Sequence, residues 1–212
     1  MKKALIGNGG HAREVMSIMQ ERMVCFVDDE YYDNNYDNET KECDDNNNDS
    51  HTWILPISKL DPTEFCVMVC IGDSQTRKSV VSRLPTGIQY FSFIHPTAVI
   101  QPSDQIIGQG TFIGPFCSVI STKRLGSHSI LVRASHIGHD CETGDYLSMM
   151  PGSILSGNVG VGECVYLGAQ SCVKQNVTIT HNVVVGMGTI VIRDIENAGV
   201  YVNPNGALRK IR

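Results

Sequence analysis

Aliphatic side chains recur at every sixth position through most of the second half of the chain. From Ile107 the register runs through Ile113, Val119, Leu125, Leu131, Ile137, Thr143, Met149, Leu155, Val161, Leu167, Val173, Ile179, Val185 and Val191, and only Thr143 is not apolar. Glycine follows the register residue at 108, 114, 126, 138, 144, 162, 168 and 186. Four places after it stands a small residue or valine, as at Thr111, Cys117, Ser129, Ser135, Cys141, Ser153 and Val159. Neither a helix nor an alternating strand has this period. Flat faces six residues wide do. One aliphatic enters the core, a small residue lines it, glycine turns the corner, and three faces close a coil of eighteen residues. Residues eighteen apart then stack at about 4.8 Å, the spacing of neighbouring strands. The expected architecture over residues 94–195 is an all-β parallel β-helix of about five coils. Ile94, Ile100 and Ile106 keep the period one residue out of phase, so a single-residue slip is expected there.

The first third has a different pattern. Residues 3–6 form a short apolar run that ends in Gly7-Asn8-Gly9-Gly10-His11, and Val15, Ile18 and Met19 follow at helical spacing. A second apolar run, residues 24–27, ends in Asp28-Asp29. A third, residues 65–71, ends in Gly72-Asp73, with a helix expected over 74–84 and a further strand over 90–93. Strand, glycine turn, helix, strand and acidic end is the order that cradles phosphate and ribose in doubly wound sheets. Residues 1–93 are therefore expected to be an α/β, small Rossmann-like βαβ domain. A nucleotide-sugar site and a purely structural βαβ unit both fit this pattern.

Charge is concentrated in one segment. Residues 33–51 carry seven of the 22 acids and one of the 17 bases, so the rest of the chain is close to neutral despite the net charge of −5. An Asn/Asp tract with almost nothing apolar cannot repay its ordering entropy and is expected to be a mobile acidic insertion. It lacks the glycine and closing glutamate of a calcium loop. Overall acidity argues against a nucleic-acid partner. No run of eighteen apolar residues exists and the start meets glycines after three apolar residues, so neither a membrane span nor a secretory signal is expected. The eight cysteines show no CxxC pair or zinc-ligand spacing, which suits a reduced, cytoplasmic chain.

His139 is the strongest chemical candidate, since it follows Gly138 at an expected corner and precedes Asp140. A neutral imidazole there is a usable general base, and a neighbouring carboxylate fixes its tautomer. Gly157, eighteen residues on, would stack above it and leave an open backbone amide for a developing oxyanion. A solvated corner histidine is the bland alternative. Cys141, two places along, would share the face of His139 on an alternating strand, but nothing marks it as an activated nucleophile. A zinc enzyme is a rival reading, with His136, His139, His128 and His181 as possible ligands at unsuitable spacing.

The segments GNGGHA, FVDD, IGD, IHPTAVIQPS, the hexapeptide array, IGHDC and PGSILSGNVGVGECVYLGAQSCV together resemble the nucleotide-sugar acetyltransferases. More narrowly, the chain resembles the bacterial enzymes that N-acetylate UDP-4-amino-4,6-dideoxy sugars, such as that of the bacillosamine pathway, and their perosamine and sialic-acid O-acetyltransferase relatives. It covers nearly the whole chain outside residues 30–52. The resemblance implies a left-handed β-helix, a homotrimer with active sites between adjacent subunits, acetyl-CoA as co-substrate with no metal, and a cytosolic place in glycan precursor synthesis. It implies His139 as general base and Asp140 as the group that increases its basicity. Gly9, Gly10, His11, Asp28, Asp29 and Gly72 would hold the nucleotide half of the acceptor. Gly157 would meet the thioester, and Ala169 and Met187 would line the pantetheine channel. Ser148, also on the cofactor side, stands where the bacillosamine enzyme has a second histidine. Residues 196–212 are expected to be a C-terminal tail, in which extra residues interrupt the usual GNPAK-type segment. Arg209, Lys210 and Arg212 are candidates for the CoA phosphates, with a merely solvated basic tail as the alternative. The expected activity is N-acetylation of the 4-amino group of a UDP-linked 4-amino-4,6-dideoxy sugar. The alternatives are a sialic-acid-type O-acetyltransferase and a non-catalytic trimeric nucleotide-binding scaffold.

Overall fold

The computed structural model describes residues 1–21, 23–35, 54–101, 106–203 and 207–212. The chain divides into two compact units, Met1–Gly72 with Ser79–Phe91, and Asp73–Lys78 with Ser92–Arg212.

In the first unit the elements are β1 (Lys2–Ile6), α1 (Gly10–Met19), β2 (Val24–Val27), α2 (Asp29–Asn35), β3 (Ile54–Pro56), β4 (Phe65–Val69), the second half of α3 (Ser74–Arg83) and β5 (Gln89–Tyr90), while the first half of α3, to Lys78, belongs to the second unit. The strands form one sheet in the order β3-β2-β1-β4-β5, all parallel. Such strands are covered on both faces and therefore read as apolar runs rather than alternations. Ala4, Ile6, Phe26, Val67 and Val69 meet Leu60, Phe65 and Val80 in its core. Strand order reverses between β1 and β4, which makes the crevice beyond their carboxyl ends the natural ligand site of such a sheet.

Sequence pattern missed α2 and β3. Residues 33–35 close α2 instead of opening the acidic insertion, and the remainder of that expected insertion, from residue 36, lies outside the described residues. β3 is only three residues long and ends in a proline, which an edge strand tolerates. The strand expected over 90–93 is two strands. Gln89–Tyr90 joins the parallel sheet, whereas Phe93–Ile94 pairs with Phe112–Ile113 in the second unit.

The second unit is a three-sided parallel β-helix. One face is a six-stranded sheet built on Val99–Ile100, Ser118–Val119, His136–Ile137, Ile154–Leu155, Cys172–Val173 and Ile190–Val191. The second face has five strands, from Ile106–Ile107 to Thr178–Ile179, and the third has eight, from Phe93–Ile94 to Arg209–Lys210. Pairing is at eighteen residues, as in His136 with Ile154 and Ile130 with Ser148. Every register residue from Ile113 to Val191 is buried, Thr143 included.

Two details differ from expectation. Glycine after the register residue does not turn the corner. The left-handed backbone falls two places later, at Phe116, His128, Ala134, Asp140, Tyr146, Asn158, Cys164, Gln170, Asn176 and Asn182. A Cβ at Gly126 would meet the carbonyl oxygen of Gly144 at 2.1 Å, and one at Gly168 would meet the nitrogen of Met187 at 2.5 Å. These glycines let successive coils approach backbone to backbone. The slip lies between Ile100 and Ile107. Upstream pairing runs at nineteen residues, as in Ile100 with Val119, and returns to eighteen at Ile107 with Leu125. Ile106 consequently faces outward at 61% exposure.

Residues 196–212, expected as a tail, include the strand Gly199–Val202. It pairs parallel to Val183–Val185 and antiparallel to Arg209–Lys210.

Candidate active site

At the carboxyl edge of the first unit's sheet, Gly7 has φ +105°, and a Cβ there would press on Ile71 and the Cys70 carbonyl. This close approach sets the glycine turn after β1 beside the turn after β4. Gly9, the residue just before α1, and Gly72 each have no atom within 4 Å of where a Cβ would be. Gly10 meets only the tip of Arg13, at 4.0 Å. His11 is 13% exposed, with Nδ1 3.7 Å from the Glu14 carboxylate. Asp28 and Asp29 follow β2 at the same edge. The Asp28 carboxylate is 2.6 Å from the Arg83 guanidinium and accepts from the Glu30 amide, while Asp29 accepts from the Ser58 amide at 3.0 Å. All six residues expected to hold a nucleotide thus share one edge. Arg83 was not anticipated, because a partner fixed by tertiary contact leaves no local pattern; Glu14, three residues beyond His11 on α1, was present in the helical spacing and was overlooked.

The base candidate occupies a corner of the β-helix, where the six-stranded face turns into the five-stranded one. Asp140 takes the left-handed conformation there, φ 60°, which Asp tolerates better than most residues. The His139 Nδ1 is 2.7 Å from Asp140 Oδ2, with the two side chains 67% and 55% exposed. The hydrogen bond from His139, aided by the charge of Lys123, holds the Asp140 carboxyl below its ordinary 3.8. An ionised carboxylate can only accept, so the ring donates through Nδ1, and the neutral tautomer this bond selects has its lone pair on Nε2. That nitrogen faces the next coil. A Cβ on residue 157 would sit 2.4 Å from Nε2 and 2.6 Å from Cε1. Any side chain at 157 would push the ring out of this position, and the Gly157 N–H donates to no group among the described residues. Asn158 and Asn176 continue the corner above, joined by a 2.9 Å side-chain hydrogen bond.

The remaining expected positions fall elsewhere. Ala169 and Met187 stack on the preceding corner, between the eight- and six-stranded faces, where the Gly188 amide donates to the Ala169 carbonyl at 2.8 Å. Met187 is 79% exposed. Ser148 does not fit a cofactor contact. It is fully buried, with its Oγ 3.1 Å from Ser74 Oγ and 2.9 Å from Arg77. The first turns of α3 cover that part of the eight-stranded face, a tertiary fact the sequence does not display. Cys141 does not share the face of His139 either. It is fully buried, its thiol 3.0 Å from the Ser156 carbonyl, and burial raises its pKa. Among the described residues no three His, Cys, Asp or Glu side chains group as metal ligands. No described helix is long and apolar enough to cross a membrane.

Known proteins share this fold. Residues 2–84 match the PglD N-terminal domain family. GDP-perosamine N-acetyltransferase from Escherichia coli O157:H7 is 30% identical over 110 residues, which is 51% of this chain and 49% of that protein. The chain spans about half the length or less of the curated relatives it matches. A perosamine N-acetyltransferase variant from Caulobacter crescentus, solved with CoA and GDP-perosamine, superposes over 100% of this chain and 98% of that one, with a TM-score of 0.81 at 22% identity. The acetyltransferase domain of PglB from Neisseria gonorrhoeae, solved with acetyl coenzyme A, superposes over 99% and 98%, with a TM-score of 0.79 at 24% identity. The fold is therefore a Rossmann-like unit followed by a left-handed parallel β-helix.

Proposed function

We propose that this chain, a PglD N-terminal domain joined to a left-handed β-helix of hexapeptide repeats, transfers acetyl from acetyl-CoA to the amino group of a nucleotide-linked 4-amino-4,6-dideoxy sugar. The observation that carries this reading is the His139 imidazole, tautomer-fixed by Asp140, with its basic nitrogen directed over Gly157. His139 Nε2 takes the proton that the acceptor amine loses as its nitrogen bonds to the acetyl carbon. The Gly157 N–H donates to the carbonyl oxygen as negative charge gathers on it. Collapse breaks the C–S bond, CoA leaves as thiolate and is protonated, and the sugar keeps the acetyl as an amide. The transfer is direct, since the Cys141 thiol is buried.

Open backbone at Gly9, Gly10 and Gly72 supports a nucleotide at the first unit's sheet edge, with His11, Asp28 and Asp29 beside it. The resemblance implies uridine, whereas the E. coli relative is named for a GDP-sugar. Both diphosphates belong in the assay. The cytosolic setting expected from the sequence belongs to this reading as well.

The reading includes a homotrimer. The outward column of the six-stranded face is Val99, Ser118, His136, Ile154, Cys172 and Ile190, with Val99 59% and Ile190 54% exposed. Phe116, Met187 and Ile192, on the two corners bounding that face, are 71%, 79% and 60% exposed. Apolar exposure concentrated on one face marks an interaction surface. Three copies turning this face to a common axis set the His139 corner of one against the Ala169–Met187 corner of the next, which joins base and donor channel.

Incubation with acetyl-CoA and UDP- or GDP-linked 4-amino-4,6-dideoxyhexoses, reading thiol release and product mass, tests the proposal. An acetamido sugar is the expected product. Transfer only to hydroxyl acceptors would move the reading to O-acetylation, and nucleotide binding without thiol release would leave a scaffold.

A further inference from the structure

Arg133 shares the corner column of Ala169 and Met187: Pro115, Arg133, Pro151, Ala169 and Met187 follow one another at eighteen residues. Its side chain is exposed, and its carbonyl accepts from the Gly152 amide at 3.1 Å in the coil-to-coil ladder. The column therefore places a cation two coils below Ala169, on the side away from Met187.

Resting on the acetyltransferase and trimer reading above, we propose that Arg133 of one copy holds the diphosphate of the acceptor whose amine is deprotonated by His139 of the adjacent copy. Rotation about an axis parallel to the β-helix leaves axial height unchanged. Residues 133 and 139 lie on successive corners of one coil, about 1.6 Å apart in height, a third of the strand spacing. Arg133 of one copy thus stands level with His139 of the next. Ala169 and Met187 lie above that level, both beyond Gly157, so the donor arm occupies the upper part of the cleft. Arg133 is left on the acceptor side. An amine at C4 and a diphosphate at C1 sit at opposite ends of one hexose ring, so an acceptor with its amine at His139 carries its phosphates a sugar's width away. A guanidinium pairs bidentately with phosphate oxygens, which a lysine ammonium cannot reproduce. On this geometry the site is incomplete in a single chain.

Steady-state kinetics of Arg133→Met and Arg133→Lys test the role. Arg133→Met should raise KM for the nucleotide sugar about ten- to a hundredfold, the scale of a lost charge-assisted contact. KM for acetyl-CoA and kcat should stay unchanged, and Arg133→Lys should recover part of the loss. Mixed trimers of His139→Ala and Arg133→Met chains provide the second measurement. Interfaces that pair the intact His139 of one chain with the intact Arg133 of the other should restore a component with the wild-type KM. An unchanged KM in both Arg133 variants, with activity still dependent on His139, would overturn the clamp and spare the acetyltransferase reading. Mixed trimers showing only the raised KM would overturn the contribution across copies. Wild-type protein inactive with every amino-sugar nucleotide would overturn both readings.

Discussion

The His139 ring lies so close over Gly157 that a methyl group at residue 157 would stand 2.4 Å from Nε2. The ring and this glycine define each other's positions, and no substitution at 157 leaves the imidazole where it is. Gly157→Ala should therefore keep the fold, because the imidazole can swing toward solvent, yet lower kcat by about a hundredfold through misplacement of the base. Circular dichroism with turnover measurements checks both halves. Wild-type turnover would show that the ring position is immaterial to the reaction.

His139→Ala and His139→Asn should each reduce turnover by about 10² or more, the usual loss for a missing general base. A folded variant with near-normal turnover would eliminate His139 as the base and return it to a solvated corner residue.

Much of this arrangement was legible in the sequence, because a β-helix writes its core into a one-dimensional register. The stacking of Gly157 on His139 follows from a spacing of eighteen and needs no long-range information. Ser148 shows where that legibility ends. The family resemblance put it on the cofactor side, but the Arg77-bearing turns of α3 lie over it. Nothing near residue 148 encodes a helix seventy residues earlier. The glycines were misread for a related reason: sequence displays the residue type but not whether it serves conformation or close approach. In the first unit, β1 and β2 stood out as apolar runs, whereas α2 and β3 flank the Asn/Asp tract and carry too few apolar residues to show a period.

Cys141→Ser should retain most activity. The thiol is sealed in the β-helix core and burial raises its pKa, so no thiolate is presented to an acyl group. A serine hydroxyl can donate to the Ser156 carbonyl in its place, which limits the stability cost to about 1 kcal/mol. Complete loss of activity in a folded Cys141→Ser protein would reinstate an acyl-enzyme.

Arg77 is fully buried and donates to the carbonyls of His128 at 2.8 Å, Tyr146 at 2.8 Å and Leu147 at 3.2 Å, and to Ser148 Oγ. Arg77→Met would fill part of the space and leave these acceptors unpaired, at about 1–3 kcal/mol for each that water cannot reach. A loss of about 3 kcal/mol or more in chemical denaturation is expected. Arg77→Lys should recover little, since one ammonium cannot span the same fork. Wild-type stability in Arg77→Met would mean that water reaches these carbonyls.

His128 provides a pH signature of the same region. Burial first, and then the positive charge of Arg77, lower its pKa from the ordinary 6.5 to about 4, against a smaller opposing pull from Asp145. The ring is 4% exposed and stacks on Tyr146 with centroids 5.3 Å apart. Between pH 6.5 and pH 4 the unfolded chain binds a proton at this residue that the folded chain does not, so stability falls as pH falls through that window. The full difference corresponds to about 3 kcal/mol. Above pH 6.5 the contribution is complete, and below pH 4 nothing further is lost from this group. Asp140, held below 3.8, titrates beneath the window. Denaturant midpoints measured from pH 7 to pH 4 should decline in the wild type and decline less in His128→Gln, which keeps a polar side chain but cannot be protonated. Parallel profiles for the two proteins would show that His128 does not carry the acid sensitivity.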